Sequence, residues 1–467
     1  MSPTQSAPNS DTRATSSNRV TSALPHDRPL DPPRGWLATA SHLGPGLIIS
    51  AAIVGSGELI VTPKVGAALG FSMLWFVLLA CIVKVFVQIE LARLVIVERV
   101  TTLEALNSVP GPRLRVSWLL WFWLFMYLGL VFQVAGLIGG CVLIFETMNF
   151  NLSRDALLIG ITASGALLLV TGRYKVVEVG STLMVAAFTL GTIVAMIALQ
   201  WTPYRVSSSQ LLDGLKFQLP ASFTVAFAAF GIIGVGASEL IYYPYWCLEK
   251  GYARHIGPRD DTPDWRRRML GWLRVLHTDA VLSMLIYTGA TIAFYILGAA
   301  VLHGQGLQVT DRELIETLSQ MYRQTLGATG AWIFLIGAFA VLYSTFFVAT
   351  ASNARLFADA AAIFGLVRYP DQAARLRMVR AACVGLPIAS GTVYFLFPQP
   401  VILVLIGALG QALMLPFLGA AALYFHHRRL SGVIHSRAPW TLALWLSALA
   451  MVLAGGYQLV QTVRSFL

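Results

Sequence analysis

The sequence is poor in charge. Only 12% of its 467 residues are Asp, Glu, Lys or Arg, whereas soluble domains contain roughly 25%. Hydrophobic residues make up 57% of the chain. Because about 20 apolar residues cross a bilayer, a chain of this length can supply about ten spans with their connections. The composition excludes a water-soluble globule and predicts an all-α membrane protein.

Cysteines and catalytic motifs are also scarce. The four cysteines all lie in apolar runs and form no CxxC pair, so neither a disulfide framework nor a zinc site is predicted. The sequence contains no GxxxxGK[ST] loop, no HExxH and no GxSxG. We therefore expect no enzymatic activity, no cofactor and no ATP-driven pumping by this chain alone.

The basic residues are distributed unevenly. Eleven apolar segments follow a tail rich in Ser, Pro and Arg, and most of the 33 Lys and Arg lie in connections on the same side as that tail. The positive-inside rule then predicts a multi-pass protein of the inner (plasma) membrane, with a cytoplasmic N-terminus and an external C-terminus. This placement accounts for the net charge of +11 without a nucleic-acid partner.

A ten-residue motif occurs twice. Residues 54–63 read VGSGELIVTP and residues 235–244 read VGASELIYYP, identical at six of ten positions. The copies lie in the first and sixth apolar segments, so each copy opens a set of five spans. Two sets of five spans cross the membrane in opposite directions, which is the inverted-repeat plan of many secondary transporters.

The repeat divides the chain into five predicted regions. These are a disordered cytoplasmic tail (1–42), the first repeat (43–201), an external connection (202–221), the second repeat (222–425) and a loop with an eleventh helix (426–467).

Both copies of the motif combine small residues with a following proline, which destabilises a helix. We expect helices 1 and 6 to break near the bilayer midplane, where freed backbone groups line a cavity or bind a ligand. Each copy also carries a glutamate, Glu58 or Glu239, and a charge there costs about 2.5–3.5 kcal/mol. Two interpretations stay open: contact with a substrate or coupling ion, or hydrogen bonding to the broken helix itself.

The sequence resembles the Nramp family of divalent metal transporters, which has the LeuT-type fold. The likeness rests on LGPGL at 43–47, QIELAR at 88–93 with TTLEA at 101–105, Ser344-Thr345, and Gln411 before LPF at 415–417. The resemblance implies about eleven transmembrane helices: a 5+5 inverted repeat with broken helices 1 and 6, and one extra C-terminal helix. It also implies secondary transport of a metal ion.

The metal ligands of that family are replaced here. Residues 55–58 read GSGE where the family has Asp-Pro-Gly-Asn, and residues 237–242 read ASELIY where it has Ala-x-x-Met-Pro-His. Gln133 and Gly136 stand where the family has two acidic residues used in proton movement, and Met414 replaces a glutamine. The loss of methionine sulfur and the gain of carboxylates favour hard cations such as Mg²⁺, Mn²⁺ or Ca²⁺. Proton coupling stays an open question.

The predicted substrate or ion site combines both repeats with the tenth span: Gly55, Ser56, Gly57, Glu58, Gly236, Ala237, Ser238, Glu239, Tyr242 and Gln411. Within it, Glu58 and Glu239 are the predicted metal ligands, together with backbone carbonyls near the two breaks. Candidates for coupling or gating are Lys84, Gln133, His277, Asp279, Ser344 and Thr345. Each of these also has a structural interpretation, such as a snorkelling lysine, an interhelical hydrogen bond or a solvated helix end.

Three functions are compatible with these features. The preferred one is transport of a divalent metal cation by alternating access. The first alternative keeps the fold but carries a small organic substrate, with the glutamates as proton acceptors. The second is a non-transporting membrane receptor or sensor. The expected partners are the lipid bilayer and the transported ion or solute, with no nucleic acid and no obligate protein partner.

Overall fold

The computed structural model describes residues 29–170, 174–218, 224–307 and 313–466. Regular structure in these ranges is helical, apart from a hairpin of two-residue strands, β1 (Arg113–Leu114) and β2 (Val116–Ser117). The α-helices are α1 (Trp36–Ala40), α2 (Pro45–Ile53), α3 (Thr62–Leu69), α4 (Leu74–Glu98), α5 (Thr102–Asn107), α6 (Trp118–Thr147), α7 (Arg154–Val170), α8 (Tyr174–Ala198), α9 (Ser208–Gly214), α10 (Thr224–Phe230), α11 (Ala237–Lys250), α12 (Tyr252–Ile256), α13 (Pro263–Leu297), α14 (Leu314–Ile363), α15 (Gln372–Leu396), α16 (Pro400–Phe425) and α17 (Ala438–Phe466).

Shorter helical segments of other geometry join these helices. π-Helical segments cover Val54–Val61, Gly298–Leu302 and His426–Leu430, and 3-10 turns cover Gly70–Met73, Leu199–Trp201 and His303–Gln305. Seven helical stretches in the described ranges are long and apolar enough to cross a membrane, and one of them, Pro45–Glu98, contains two of the predicted spans. The all-α membrane fold is therefore confirmed, whereas the count of eleven spans stays a prediction.

The helix α6 packs against α14, α15 and α16. Glycines let these helices approach closely. A Cβ atom on Gly136 would lie 2.6 Å from the Pro400 carbonyl oxygen, and one on Gly66 of α3 would lie 2.7 Å from the Tyr295 carbonyl oxygen of α13. Close approach at small residues is the usual basis of helix packing in membranes, where apolar burial gives no driving force.

The two copies of the sequence motif have different backbones. The second copy starts at a true interruption, since α10 ends at Phe230 and α11 begins at Ala237. In the first copy the chain stays helical from Pro45 to Leu69 and widens to π-helical geometry over Val54–Val61. The sixth predicted span, helix 6, consists of α10 and α11 and is therefore broken as predicted. The first predicted span, helix 1, runs through α2, the π-helical segment and α3, and it is distorted without a gap.

The reason lies in the residues before each copy. Residues 229–234 read AFGIIG, and Gly234 adopts a left-handed φ of 64° that favours glycine. Residues 48–53 read IISAAI and contain no glycine, so the helix continues until it reaches Gly55. A π-helical turn shifts the hydrogen-bond ladder without opening it, and such turns are frequent at functional sites.

Part of the predicted disordered tail packs against the body of the protein. The Leu30 N–H donates to the His255 carbonyl at 2.9 Å, and the Trp272 indole N–H donates to the Leu30 carbonyl at 2.9 Å. Pro32 lies directly over Gly271 of α13. The prediction of disorder is therefore wrong for residues 29–42, because α12 and α13 supply partners that a composition argument does not see. Residues 1–28 lie outside the described ranges.

The last helix is attached to α4 through a buried polar cluster, which we call the Glu90 cluster. Glu90 accepts hydrogen bonds from Arg93 at 2.9 Å and from the Trp440 indole at 2.9 Å, and it lies 2.9 Å from His426 Nδ1. The His426 Nε2 atom lies 3.1 Å from the Thr441 hydroxyl. One carboxylate thus joins α4 to the end of α16 and the start of α17.

Candidate functional site

Glu239 lies in the first turn of α11, immediately after the break in helix 6. Its side chain is buried and accepts hydrogen bonds from the Ser238 hydroxyl at 2.6 Å and the Tyr242 hydroxyl at 3.0 Å. The N-terminal end of a helix carries partial positive charge, which favours a carboxylate there. The break therefore places Glu239 at a helix N-terminus, where its charge is stabilised.

Gln411 of α16 supplies the cap for α11. Its amide oxygen accepts the Ser238 N–H and lies near the Ser238 hydroxyl, both at 3.0 Å, and its amide nitrogen donates to the Gln133 oxygen at 2.7 Å. The single hydroxyl proton of Ser238 can serve either Gln411 or Glu239, but not both at once. Gly236 has no side chain because a Cβ atom there would collide with Gln411 and Glu239.

These side chains border a small enclosed cavity between α6, α11 and α14, which we call the Glu239 cavity. Its volume is about 10 Å³. Its polar lining consists of Gln133, Ser238, Glu239, Tyr242, Thr345 and Asn353. The Asn353 oxygen is buried and has no hydrogen-bond partner within the described part of the chain. A space of this size holds one water molecule or one ion of similar size.

Glu58 lies in a different environment. Its Oε1 atom accepts hydrogen bonds from the Gly234 N–H at 3.0 Å and the Thr291 hydroxyl at 2.5 Å, while its Oε2 atom is buried without a described partner. Glu58 does not border the Glu239 cavity, and no described hydrogen bond joins the two carboxylates. The sequence symmetry of the two glutamates is therefore not a symmetry of their surroundings.

Lys84, like Glu58, binds the broken segment of helix 6. It is fully buried in α4, and its ammonium group donates to the carbonyl oxygens of Phe230 at 2.7 Å and Ile233 at 2.5 Å. The ammonium also lies 4.8 Å from the centre of the Phe230 ring. Its partners are thus carbonyls that the break removes from helical hydrogen bonding.

Asp279 binds backbone N–H groups at the N-terminal end of α2, where helix 1 begins. Its carboxylate accepts the N–H groups of Gly44 at 2.9 Å and Gly46 at 2.6 Å, and the hydroxyl of Tyr243 at 2.9 Å. One turn deeper in α13, the hydroxyls of Ser283 and Ser50 lie 2.9 Å apart. This arrangement joins the N-terminal end of α2 to α11 and α13. His277 does not join it, because its ring stacks on Trp440 at 5.1 Å.

The remaining candidates have separate partners. The Thr345 hydroxyl donates to the Ala51 carbonyl of helix 1 at 3.0 Å, and a Cβ atom on Gly55 would collide with it. Ser344 donates to the Val341 carbonyl of its own helix at 3.2 Å. A Cβ atom on Gly57 would lie 2.5 Å from a carbonyl oxygen of the broken segment. Ala237 is buried, and the side chain of Ser56 lies outside the described part.

Three residues of the site are not among the site residues predicted from the sequence. Thr291 and Tyr243 bind the Glu58 and Asp279 carboxylates, and Asn353 borders the Glu239 cavity. Hydroxyl and amide side chains are common in membrane helices as interhelical hydrogen-bonding groups, so their presence alone does not mark a site. Only the spacing along the helix could have indicated Asn353, because it lies two turns after Thr345 on one face of α14.

A second cavity has no comparable chemistry. A groove of about 740 Å³ lies between α7 and α15, and its lining residues include no titratable side chain. Its walls are formed by residues such as Leu158, Ala166, Ile388 and Phe395. No cluster of three or more His, Cys, Asp and Glu suited to a metal occurs among the residues that the structure describes. An ion in the Glu239 cavity would therefore use one carboxylate with neutral oxygens.

Comparison with known proteins identifies the family. The family model described as "Natural resistance-associated macrophage protein-like" (Nramp) matches residues 46–461. A divalent metal cation transporter MntH of Mycobacterium tuberculosis is 27% identical over 299 residues, 63% of this chain and 64% of the relative. The MntH of Chromohalobacter salexigens is 24% identical over 291 residues, 62% of each chain. The matched part thus spans less than two thirds of these relatives.

Solved structures share the fold. A manganese transporter of Eremococcus coleocola, crystallised with an aromatic bis-isothiourea compound, superposes with a TM-score of 0.62 at 14% identity, covering 92% of this chain and 88% of that one. Mhp1, a nucleobase-cation-symport-1 family transporter, gives 0.54 at 13% identity, covering 94% and 96%. The fold is thus the LeuT-type fold, and with the match over residues 46–461 the chain is a multi-pass membrane protein that belongs to the Nramp family.

Proposed function

We propose that this chain is a secondary transporter that carries a divalent metal cation across the membrane by alternating access. The Glu239 cavity is the observation that carries this proposal, because its volume of about 10 Å³ fits a single small ion and its lining contains a carboxylate. Sites for organic ligands usually measure roughly 300–1,000 Å³. The names of the MntH relatives and the manganese transporter with the same fold support the same substrate class.

In this proposal Glu239 binds the ion, with the free oxygen of Asn353 as a second ligand. Carboxylate and amide oxygens suit Mn²⁺, Mg²⁺ and Ca²⁺. The sequence predicted both glutamates as ligands, but Glu58 lies outside the cavity and already binds the broken backbone. We therefore assign ion contact to Glu239 and a role in holding the break to Glu58.

The proposed motion opens the end of the molecule at which Asp279 joins α2 to α13. Releasing the Gly44 and Gly46 amides would free α2 to move away from α13. The distribution of basic residues supports a cytoplasmic location for this end and an inner-membrane location for the protein. Gln133 is hydrogen-bonded to Gln411 and carries no titratable proton, so any proton movement would need other groups.

Flux measurements in proteoliposomes test the proposal. We expect uptake of Mn²⁺, with Mg²⁺ and Ca²⁺ as comparisons, and internal pH is recorded in the same vesicles. Glu239→Gln should reduce Mn²⁺ flux at least tenfold, because a neutral amide replaces the one charged ligand. The matched control is Glu146→Gln, since Glu146 is an exposed glutamate at the end of α6 and should not affect transport.

Two results would overturn this assignment. If none of the three metals is transported or shifts the melting temperature at millimolar concentration, the metal substrate is wrong and an organic substrate must be sought. Saturable metal binding without flux would instead favour the receptor or sensor hypothesis. Wild-type Mn²⁺ flux through Glu239→Gln would show that the ion binds elsewhere.

A further inference from the structure

The break in helix 6 creates an acceptor site for a cation. Phe230 is the last residue of α10, so its carbonyl lacks the usual helical partner, and the Ile233 carbonyl lies in the irregular segment that follows. In membrane transporters with broken helices, such carbonyls and half-helix C-terminal ends coordinate free cations. Here both carbonyls accept hydrogen bonds from the Lys84 ammonium, at 2.7 and 2.5 Å.

The opposite side of the same peptide unit is bound by a carboxylate. In the peptide unit between Ile233 and Gly234, the carbonyl oxygen accepts a hydrogen bond from the Lys84 ammonium. The N–H of the same unit donates to Glu58 Oε1 at 3.0 Å. A peptide carries a dipole with its negative end at the oxygen and its positive end at the hydrogen, so both contacts have the favourable sign. We call this Lys84–peptide–Glu58 arrangement the peptide clamp.

Burying Lys84 is costly unless its charge is compensated. The side chain is fully buried, and no described carboxylate lies within 4 Å of its ammonium. Desolvating an ammonium costs several kcal/mol, and carbonyl dipoles and the Phe230 ring supply the compensation here. If Lys84 only filled space in α4, leucine or methionine would fill it without the desolvation cost. We therefore expect the charge of Lys84 to contribute to the structure.

We propose that the Lys84 ammonium is a tethered cation that permanently fills the carbonyl site of the helix 6 break. The protein then holds its broken helix without a monovalent ion, and Lys84 acts as a positioning residue for the segment that leads to Glu239. The link to transport depends on the proposed function, but occupancy of the carbonyl site does not. Removing the lysine should convert this place into a site for a free small cation.

Lys84→Ala allows a direct test by chemical rescue. The deleted atoms correspond to n-propylammonium, which retains three N–H donors. The melting temperature is measured in detergent, without divalent metal, in choline chloride and then with sodium, potassium or propylammonium chloride in its place. Choline is the control cation, because it has the same charge but no N–H donor and is too large.

We expect Lys84→Ala to melt at least about 5 °C below the wild type in choline, since two buried carbonyls lose their partner. Propylammonium or Na⁺ should restore at least about 3 °C to this variant and leave the wild type unchanged. Lys84→Met fills the volume without charge, so it should be destabilised and show no rescue. A cation-independent Lys84→Ala variant, or a Lys84→Met variant as stable as the wild type, would overturn the proposal.

Two further comparisons keep the test decisive if Lys84→Ala cannot be purified. Lys84→Gln carries amide N–H donors that Lys84→Met lacks, so it should melt higher, and equal melting temperatures would refute the role of the carbonyls. The double variant Glu58→Gln/Lys84→Met should lose less stability than the two single variants combined, because both ends hold one peptide. Additive losses would refute the peptide clamp. None of these measurements depends on metal transport.

Discussion

Replacing Asp279 with asparagine will loosen the contact of α2 with α11 and α13. The carboxylate accepts three hydrogen bonds, from the N–H groups of Gly44 and Gly46 and from the Tyr243 hydroxyl. Asparagine is nearly the same size but presents one oxygen and one NH₂ group. Its NH₂ group must face a donor that now binds a carboxylate oxygen, so at least one hydrogen bond is lost.

The expected cost follows from these contacts. A hydrogen bond to a charged group contributes about 1.5–3 kcal/mol, and an unpaired buried amide costs a similar amount. A net loss of about 2.8 kcal/mol changes the equilibrium between closed and open forms about 100-fold. Since the fold itself depends on many other contacts, we expect this energy to appear mainly as local opening at α2.

Ser283→Cys provides the reporter, because Ser283 is buried one turn deeper in α13 against Ser50. The rate of reaction with a water-soluble maleimide is compared in Ser283→Cys and in Ser283→Cys/Asp279→Asn, in detergent. The wild type gives the background, as the described structure buries all four native cysteines. We expect the rate to rise roughly 30- to 100-fold if opening is fast relative to labelling. A change of less than about threefold would refute the gating role of Asp279.

Two further predictions concern packing and pH. Gly66→Ala should destabilise the protein by about 1–3 kcal/mol, because its Cβ would lie 2.7 Å from the Tyr295 carbonyl oxygen and 2.8 Å from the Ala299 nitrogen. The control Gly160→Ala, with no atom within 4 Å, should be neutral or slightly stabilising, and equal melting curves would refute the packing argument. Burial lowers the pKa of His255 in α12 from 6.5 to about 4. The unfolded chain therefore binds more protons between these values, so stability should fall as pH decreases from 6.5 towards 4, and His255→Gln should weaken that dependence.

Much of the fold could be predicted from hydropathy, charge placement and the repeated decamer. These signals are strong because a membrane span must be apolar and internally hydrogen-bonded, which leaves few alternatives. The decamer predicted the break in helix 6 but not its extent, since the break covers residues 231–236 and only the last two of these belong to the second copy. Residues 48–53, before the first copy, contain no glycine, so its helix only widens.

The candidate site was predictable in its polar residues but not in their grouping. Glu58 and Glu239 occupy equivalent positions in the sequence, yet Glu58 binds the Gly234 amide while Glu239 faces a cavity. From the sequence, Lys84 was compatible with snorkelling or with an ion pair. Its actual partners are backbone carbonyls, which have no sequence signature. Such pairings depend on how helices far apart in the chain pack together.

The partners in the Glu90 cluster are synthesised at very different times during membrane insertion. The two members His426 and Glu90 are 336 residues apart. At about 5–20 residues per second, the ribosome delivers the second partner roughly 15–70 s after the first. During that interval Arg93, three residues from Glu90, is the neighbour that can neutralise the carboxylate within the same helix. Arg93 can therefore serve as a temporary counterion of Glu90 in the nascent chain, until the last two helices are synthesised and complete the Glu90 cluster.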